Sequence, residues 1–230
     1  AETAARVRAR IGDYLVAQTE LDRYPEEGFD QILGDGDIIP AHVRRFADFL
    51  AQPERRTDPV FAAWAAVAGV AGAEFATQAA AVVARLEADG IRLNPRLAAA
   101  LEPPPGSLRE MATRYGEAFA AVEAEWQRAV AAAKESGMPP PAVLADADAE
   151  QLRQVLYEDR SPCVGHDEPI VSTEGFYPTK VCEELWKLQG EVDRWLIQQP
   201  LAPPHALRLV DREVLRPARV LRRGPHAEVA

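Results

Sequence analysis

The densest group of side chains able to do chemistry is Cys163-Val164-Gly165-His166, followed directly by Asp167 and Glu168. A thiolate, an imidazole and two carboxylates this close together could hold a borderline metal ion such as zinc. A closed zinc site wants a fourth ligand, usually from a separated pair, and only His205 or Cys182 could complete the set. Cys163, His166 and His205 are therefore the candidate metal ligands. The stretch lacks the second cysteine of Cys-x-x-Cys-His, the attachment signature of covalent haem. Cys163 and His166 could also form a nucleophilic pair, in which imidazole activates a thiolate. No orienting group or oxyanion donor accompanies them. A polar surface loop accounts for the same residues without any reaction.

Other signatures are weaker. Asp35 and Asp37 alternate with Gly34 and Gly36, as in acidic turns that bind calcium. The EF-hand pattern fails, because Pro40 and Ala41 fall where oxygen ligands belong, so a plain turn is expected. The sequence carries no Walker loop, dinucleotide fingerprint, Gly-x-Ser-x-Gly elbow or His-Glu-x-x-His. Cys163 and Cys182 could form one disulfide around the 165–177 loop, contributing on the order of 3 kcal/mol. Cys182 equally fits an ordinary buried helix position.

The bulk properties narrow the class. A chain of 230 residues fits one domain with an appendage. Hydrophobic residues make up 47%, so a real core is available, but alanine dominates them and buries little area each. Trp64, Trp126, Trp186 and Trp195 are the expected anchors. Net charge of −10 would repel a phosphate backbone or an acidic membrane surface. The arginines at 208, 212, 216, 219, 222 and 223 read as outward positions of strands. No apolar run approaches the length of a membrane span. The start Ala1-Glu2-Thr3 reads as a processed or trimmed end.

The elements that must position these residues are mostly helical. Val7, Ile11, Tyr14, Leu15 and Gln18 predict a helix over 4–23. Pro40 suits a helix start, with Val43, Phe46, Phe49 and Leu50 facing inward. Asp58-Pro59 predicts a cap for a helix carrying Val60, Phe61, Trp64 and Val67. Further helices are expected over 74–89, ending at Gly90, and from Asn94-Pro95 to Leu101. Ser107 to Glu110 reads as a capping box. It opens the strongest helix, where Met111, Tyr115, Phe119, Val122, Trp126 and Val130 keep to one side. Asp148 with Gln151 reads as a second box, and 158–177 as a structured loop. A second long helix spans 178–199, with Val181, Cys182, Leu185, Leu188, Val192, Trp195 and Leu196 as its stripe. Packing the two long stripes together would bury Trp126 and Trp195 in an antiparallel hairpin. Residues 206–210 and 218–221 alternate like two short strands, a ribbon that needs partners outside the chain.

The C-terminal stretch Ala202-Pro203-Pro204-His205-Ala206-Leu207-Arg208-Leu209-Val210-Asp211, with Pro217-Ala218-Arg219-Val220-Leu221-Arg222-Arg223-Gly224, resembles a signature of large planctomycete proteins. These carry paired domains of unknown function, often beside a cytochrome c module. The helical part looks like the connector between the two domains, with Arg44-Arg45-Phe46 and Thr57-Asp58-Pro59-Val60-Phe61-Ala62-Ala63-Trp64 fitting it. The resemblance implies an exported, periplasmic parent, flanking domains of the same chain as partners, and c-type haem elsewhere in that parent.

The expectation is thus a mainly α protein: a helical bundle over 1–200 with a long antiparallel hairpin, then a short β-ribbon or linker over 201–230. Its expected role is a non-catalytic scaffold or connector, with no cofactor in this segment, no nucleic acid and no membrane span. Two rivals stand beside it. One is an electron-transfer or metal module using Cys163, His166 and His205. The other is part of a polysaccharide-active hydrolase completed by other domains.

Overall fold

The computed structural model describes residues 2–24, 32–165 and 170–199, with nothing placed for the side chain of Ser172. The described residues are mainly helical and hold no strand. By contacts the chain divides into two units, 1–189 and 190–230. The described part of the second is 190–199, the last turns of a helix.

The expected first helix is broken. α1 (Glu2–Ala9) and α2 (Ile11–Ala17) meet at Arg10, whose φ of −117° and ψ of 21° leave the helical region. A 3-10 turn, Gln18–Arg23, follows and is itself kinked at Glu20. The stripe holds across the break, and Val7, Ile11, Tyr14 and Leu15 are all buried. Gln18 uses its amide to donate to the carbonyls of Tyr14 and Val43 at 2.9 and 3.1 Å. That ties α2 to α3 (Pro40–Ala51), where Pro40 opens the helix as expected.

α4 (Ala62–Val67) starts later than its cap suggested. Asp58 accepts from the Val60 N–H at 2.8 Å, so the side chain fixes a turn ahead of the helix rather than its first residue. α5 (Phe75–Ala88) closes on Gly90 at φ 81°, with Ile91 N–H reaching the Leu86 carbonyl at 2.8 Å. This left-handed stop is one glycine takes without penalty. α6 (Pro95–Ala100) is capped by Asn94, whose side chain accepts from the Arg96 N–H at 3.0 Å. The Asn94 amide also donates to the Asp148 carbonyl and to Gln151 Oε1, both at 2.9 Å. One buried side chain thus joins α6 to α8 (Ala147–Tyr157).

α7 (Leu108–Glu135) is the central helix. Ser107 accepts from the Glu110 N–H at 3.1 Å, as the capping box requires. The return bond is shifted, since Glu110 accepts from Gly106 N–H at 2.8 Å. The cap of α8 is Asp146, not Asp148. Gln151 is absent from that cap because it serves Asn94.

The partner of α7 corrects the expected hairpin. α7 packs along α2, with α6 and α8 on its other sides. Gly12 and Gly116 cross back to back: a Cβ on Gly12 would sit 3.0 Å from the Gly116 Cα, and one on Gly116 would collide with the Gly12 backbone. Trp126 is buried against the Tyr157 ring, centroids 5.8 Å apart, and under the Arg153 guanidinium at 4.4 Å. Trp195, its expected mate, is 59% exposed. The seam of α7 is consumed by α2 and α8. The expected ribbon over 206–221 lies outside the described residues.

Around this crossing Phe49, Phe61, Tyr115 and Phe119 form an aromatic cluster, with ring centroids 5.4 to 6.2 Å apart. Tyr115 is fully buried and its hydroxyl donates to the Val60 carbonyl at 3.0 Å, so the one polar atom brought inside is satisfied. Aromatic rings supply the area that the many alanines cannot.

Candidate functional site

Cys163 lies in the core, with no measurable exposure, rather than in a polar surface loop. Burial pushes its thiol up to about 12, so it is a neutral packing group and a poor nucleophile. Its backbone N–H donates to Ser161 Oγ at 3.1 Å. His166 and His205, the other proposed ligands, lie outside the described residues. Among the described residues no three His, Cys, Asp or Glu side chains gather as a metal group. Both cysteines are free thiols, so the disulfide is not formed. A short helix, α9 (Ile170–Thr173), leads into Glu174, and Cys182, on α10 (Thr179–Gln198), directs its sulfur to the Glu174 carbonyl at 3.1 Å.

What holds Cys163 inside is a residue that sequence inspection passed over. His42 on α3 is buried, and its Nδ1 lies 3.2 Å from the Pro162 carbonyl. A carbonyl only accepts, so Nδ1 carries the proton. Burial lowers the His42 pKa to about 4, against the raising effect of the Pro162 bond. The ring meets Tyr14 at 6.0 Å and Phe176 at 5.1 Å, edge to face. Arg45 adds two bonds to the Ser161 carbonyl at 3.3 Å. Together α3 side chains pin the chain after α8 through its carbonyls. Only the 3.6-residue phase, which places His42 beside Val43 and Phe46, could have signalled an inward histidine.

A half-buried polar group sits where α1, α7 and α8 meet. The Arg8–Glu123 ion pair spans 3.7 Å, beyond hydrogen-bond length. Tyr157 and Gln127 both donate to Glu123 Oε1, at 2.9 and 3.0 Å. Arg8 lies 4.2 Å over the Tyr157 ring. Glu123 Oε2 and Arg8 Nε are buried without a hydrogen-bond partner. An under-satisfied pair of this kind costs desolvation and fixes packing direction.

A cavity of about 430 Å³ opens between the end of α3 and α8 and includes Phe49, Arg55, Asp58, Gln151, Gln154 and Arg160 in its wall. Arg55 is already committed: it pairs with Asp58, donates to Gln52 at 3.1 Å and stacks 3.9 Å from the Phe49 ring. Among the described residues its wall holds no cysteine, histidine or tyrosine. A smaller cavity of about 200 Å³ is lined mainly by alanines, prolines and valines of α5 and α6 and the chain between α6 and α7.

The surface feature that stands out is α10. None of its side chains is buried. Val181, Leu185, Leu188, Val192 and Trp195 follow at spacings of four, three, four and three, the heptad seam of a coiled coil. Leu188 is 56% and Val192 51% exposed, beside Trp195. The N-terminal end of α10 is tied down. Thr179 N–H donates to the Leu33 carbonyl at 3.0 Å, and its hydroxyl accepts from Leu33 N–H at 2.9 Å. Trp186 donates its indole N–H to Glu174 at 2.7 Å. Among the described residues no helix is long and apolar enough to cross a membrane, so the seam is no span. Comparisons of the chain with protein-family models, with curated proteins and with solved structures find no match.

Proposed function

We propose that this chain is a non-catalytic helical scaffold, a connector that sets the placement of flanking domains in a larger exported protein. The observation that carries this role is the contrast in use of side chains. Among the described residues, Cys163 and His42 are buried, and His42 is engaged with the Pro162 carbonyl. On α10, Trp186, Leu188, Val192, Trp195 and Ile197 are exposed, while Val181 and Leu185 are half-buried. A helix with a strict heptad seam is a device for association rather than for chemistry. The planctomycete-like motifs at 202–211 and 217–224 support a ribbon or linker over 201–230 that leads to a following domain, and a periplasmic setting for the parent.

The test uses the full-length parent. Probes placed in the domains on either side of this chain report their separation. Gly190→Pro breaks α10 at its middle, at a cost of about 3 kcal/mol to the helix. The expected result is a broadened or shifted distance distribution with the body still folded. An unchanged distribution would sink the connector role. So would a stoichiometric metal or a visible chromophore in the purified chain, which would favour the Cys163, His166 and His205 module instead.

A further inference from the structure

We propose that the cavity of about 200 Å³ between α5, α6 and the start of α7 binds a small organic amine, its apolar body inward and its ammonium group at Glu87 and Glu102. This goes beyond the connector role and does not depend on it. Burial grades the wall from inside to outside. Val67, Ala79, Leu101, Pro105 and Met111 line the cavity as buried side chains, and none of these side chains carries a hydrogen-bond donor. An apolar cavity of about 150 Å³ already admits a ligand the size of benzene, so a body of about six or seven carbons fits here. The polar side chains of the wall are Glu87 and Glu102, and both are exposed.

The charges choose the class of ligand. Among the described residues neither glutamate has an ion-pair or side-chain hydrogen-bond partner, and the wall holds no Lys, Arg or His. Arg114 is committed elsewhere: it donates to the carbonyls of Ala100, at 3.3 Å, and Pro103, and to Glu110 at 2.7 Å. Arg85 stands two positions from Glu87 on α5, a spacing that turns the two side chains apart. An apolar hollow with two uncompensated carboxylates at its rim repels an anion and offers a neutral molecule no added attraction. An amine gains from both regions. Direction matters as well. An arginine from the chain's own end over 208–223, or a Lys or Arg of another protein, enters tip first. Its charge would land on the buried aliphatic wall and lose water without a partner, with its stem left at the glutamates. A free amine enters apolar end first and keeps its charge at the rim.

The experiment titrates the full chain, carrying carbon-13 at its methionine methyl groups, with three compounds of one shape: cyclohexylmethylamine, cyclohexylmethanol and cyclohexanecarboxylate. Met111 lies in the wall, and Met138, the other methionine, is exposed and serves as the control. A saturable shift is expected at Met111 and not at Met138. The amine is expected to bind at least about threefold more tightly than the alcohol, with the carboxylate weakest and the gap closing as salt is raised. Glu87→Gln with Glu102→Gln is expected to make amine and alcohol bind alike in a chain that still folds, since both positions are exposed. Ala84→Phe, at an exposed position of the wall, is expected to fill the cavity and abolish binding of all three. No shift at Met111 with any compound, equal binding of amine and alcohol, or a preference for the amine that survives the double glutamine variant each overturns the proposal. Nuclear Overhauser contacts from the Met111 methyl to side chains of 201–230 in the free chain overturn it in favour of the chain's own end.

Discussion

Gly116 and Gly190 are both interior helix glycines, yet their surroundings are opposite. Gly116 faces the backbone of Gly12 so closely that a methyl group would overlap it. Around Gly190 the nearest neighbour to an added methyl is the end of the Arg194 side chain, 3.7 Å away. The body of the molecule uses its glycine to let two helix backbones touch. α10 gains nothing of the sort from its own, and pays the usual conformational entropy of glycine in a helix. Close packing has been spent on the α2–α7 crossing, and α10 has been left without a packed face. That difference separates a closely packed crossing from a helix that buries no side chain.

The sharpest way to break this comparison is Gly116→Val. Its branched side chain would have to displace α2, and overpacking of this kind costs about 3 kcal/mol or more. Urea denaturation is expected to show a large drop in midpoint, or no folded state at all. Leu188→Ser with Trp195→Ser, although it removes large apolar groups, is expected to change the unfolding free energy by less than about 0.5 kcal/mol, the range for surface substitutions. Equal losses in the two variants would show that α10 is packed in solution and would erase the contrast.

This same pair of regions shows what the sequence made legible. Caps and stops are local, and Ser107, Asn94, Pro40 and Gly90 act as their types require. The stripe of α7 was legible through Trp126 because burial follows the helical period. Its partner was not. Two equally amphipathic long helices invite pairing, whereas the decision rests on Gly12 and Gly116, more than a hundred residues apart. A glycine reads as a weak helix position until its opposite is known. The burial of Cys163 was not legible for a related reason. Its loop neighbours are polar, and the His42 and Arg45 contacts that draw the chain inward come from α3. Sequence spacing within the loop carries no trace of them. The α10 stripe was legible as amphipathic, but exposure at Trp195 depends on what α7 had already bound.

The body should also reveal itself through pH. The His42 pKa falls from 6.5 to about 4 on folding because burial disfavours the imidazolium. Below pH 6.5 the unfolded chain takes up a proton that the folded chain refuses. This contribution to stability is therefore whole above pH 6.5, declines as the pH falls, and is exhausted near pH 4. The span corresponds to about 3 kcal/mol at most. His42→Gln keeps a donor for the Pro162 carbonyl while removing the titration. Its urea midpoints are expected to decline less steeply between pH 6.5 and 4 than those of the parent chain, even if it starts lower. Parallel curves for the two would show that His42 is not held neutral in the folded core.

The smallest expected effect tests the other side of the comparison. Gly190→Ala should stabilise α10 by about 0.5–1 kcal/mol, since alanine loses less entropy in a helix and meets no clash here. The position lies opposite the seam in the heptad, so the apolar face is untouched. Global unfolding should barely respond, because α10 buries no side chain of its own. Amide exchange within α10 should slow by about threefold while exchange in α2 and α7 stays the same. A glycine placed for packing would give the reverse: slower folding of the whole body, or faster exchange at the crossing. Local protection confined to α10 is the expected result where the stability of this stretch of helix is set by its own backbone.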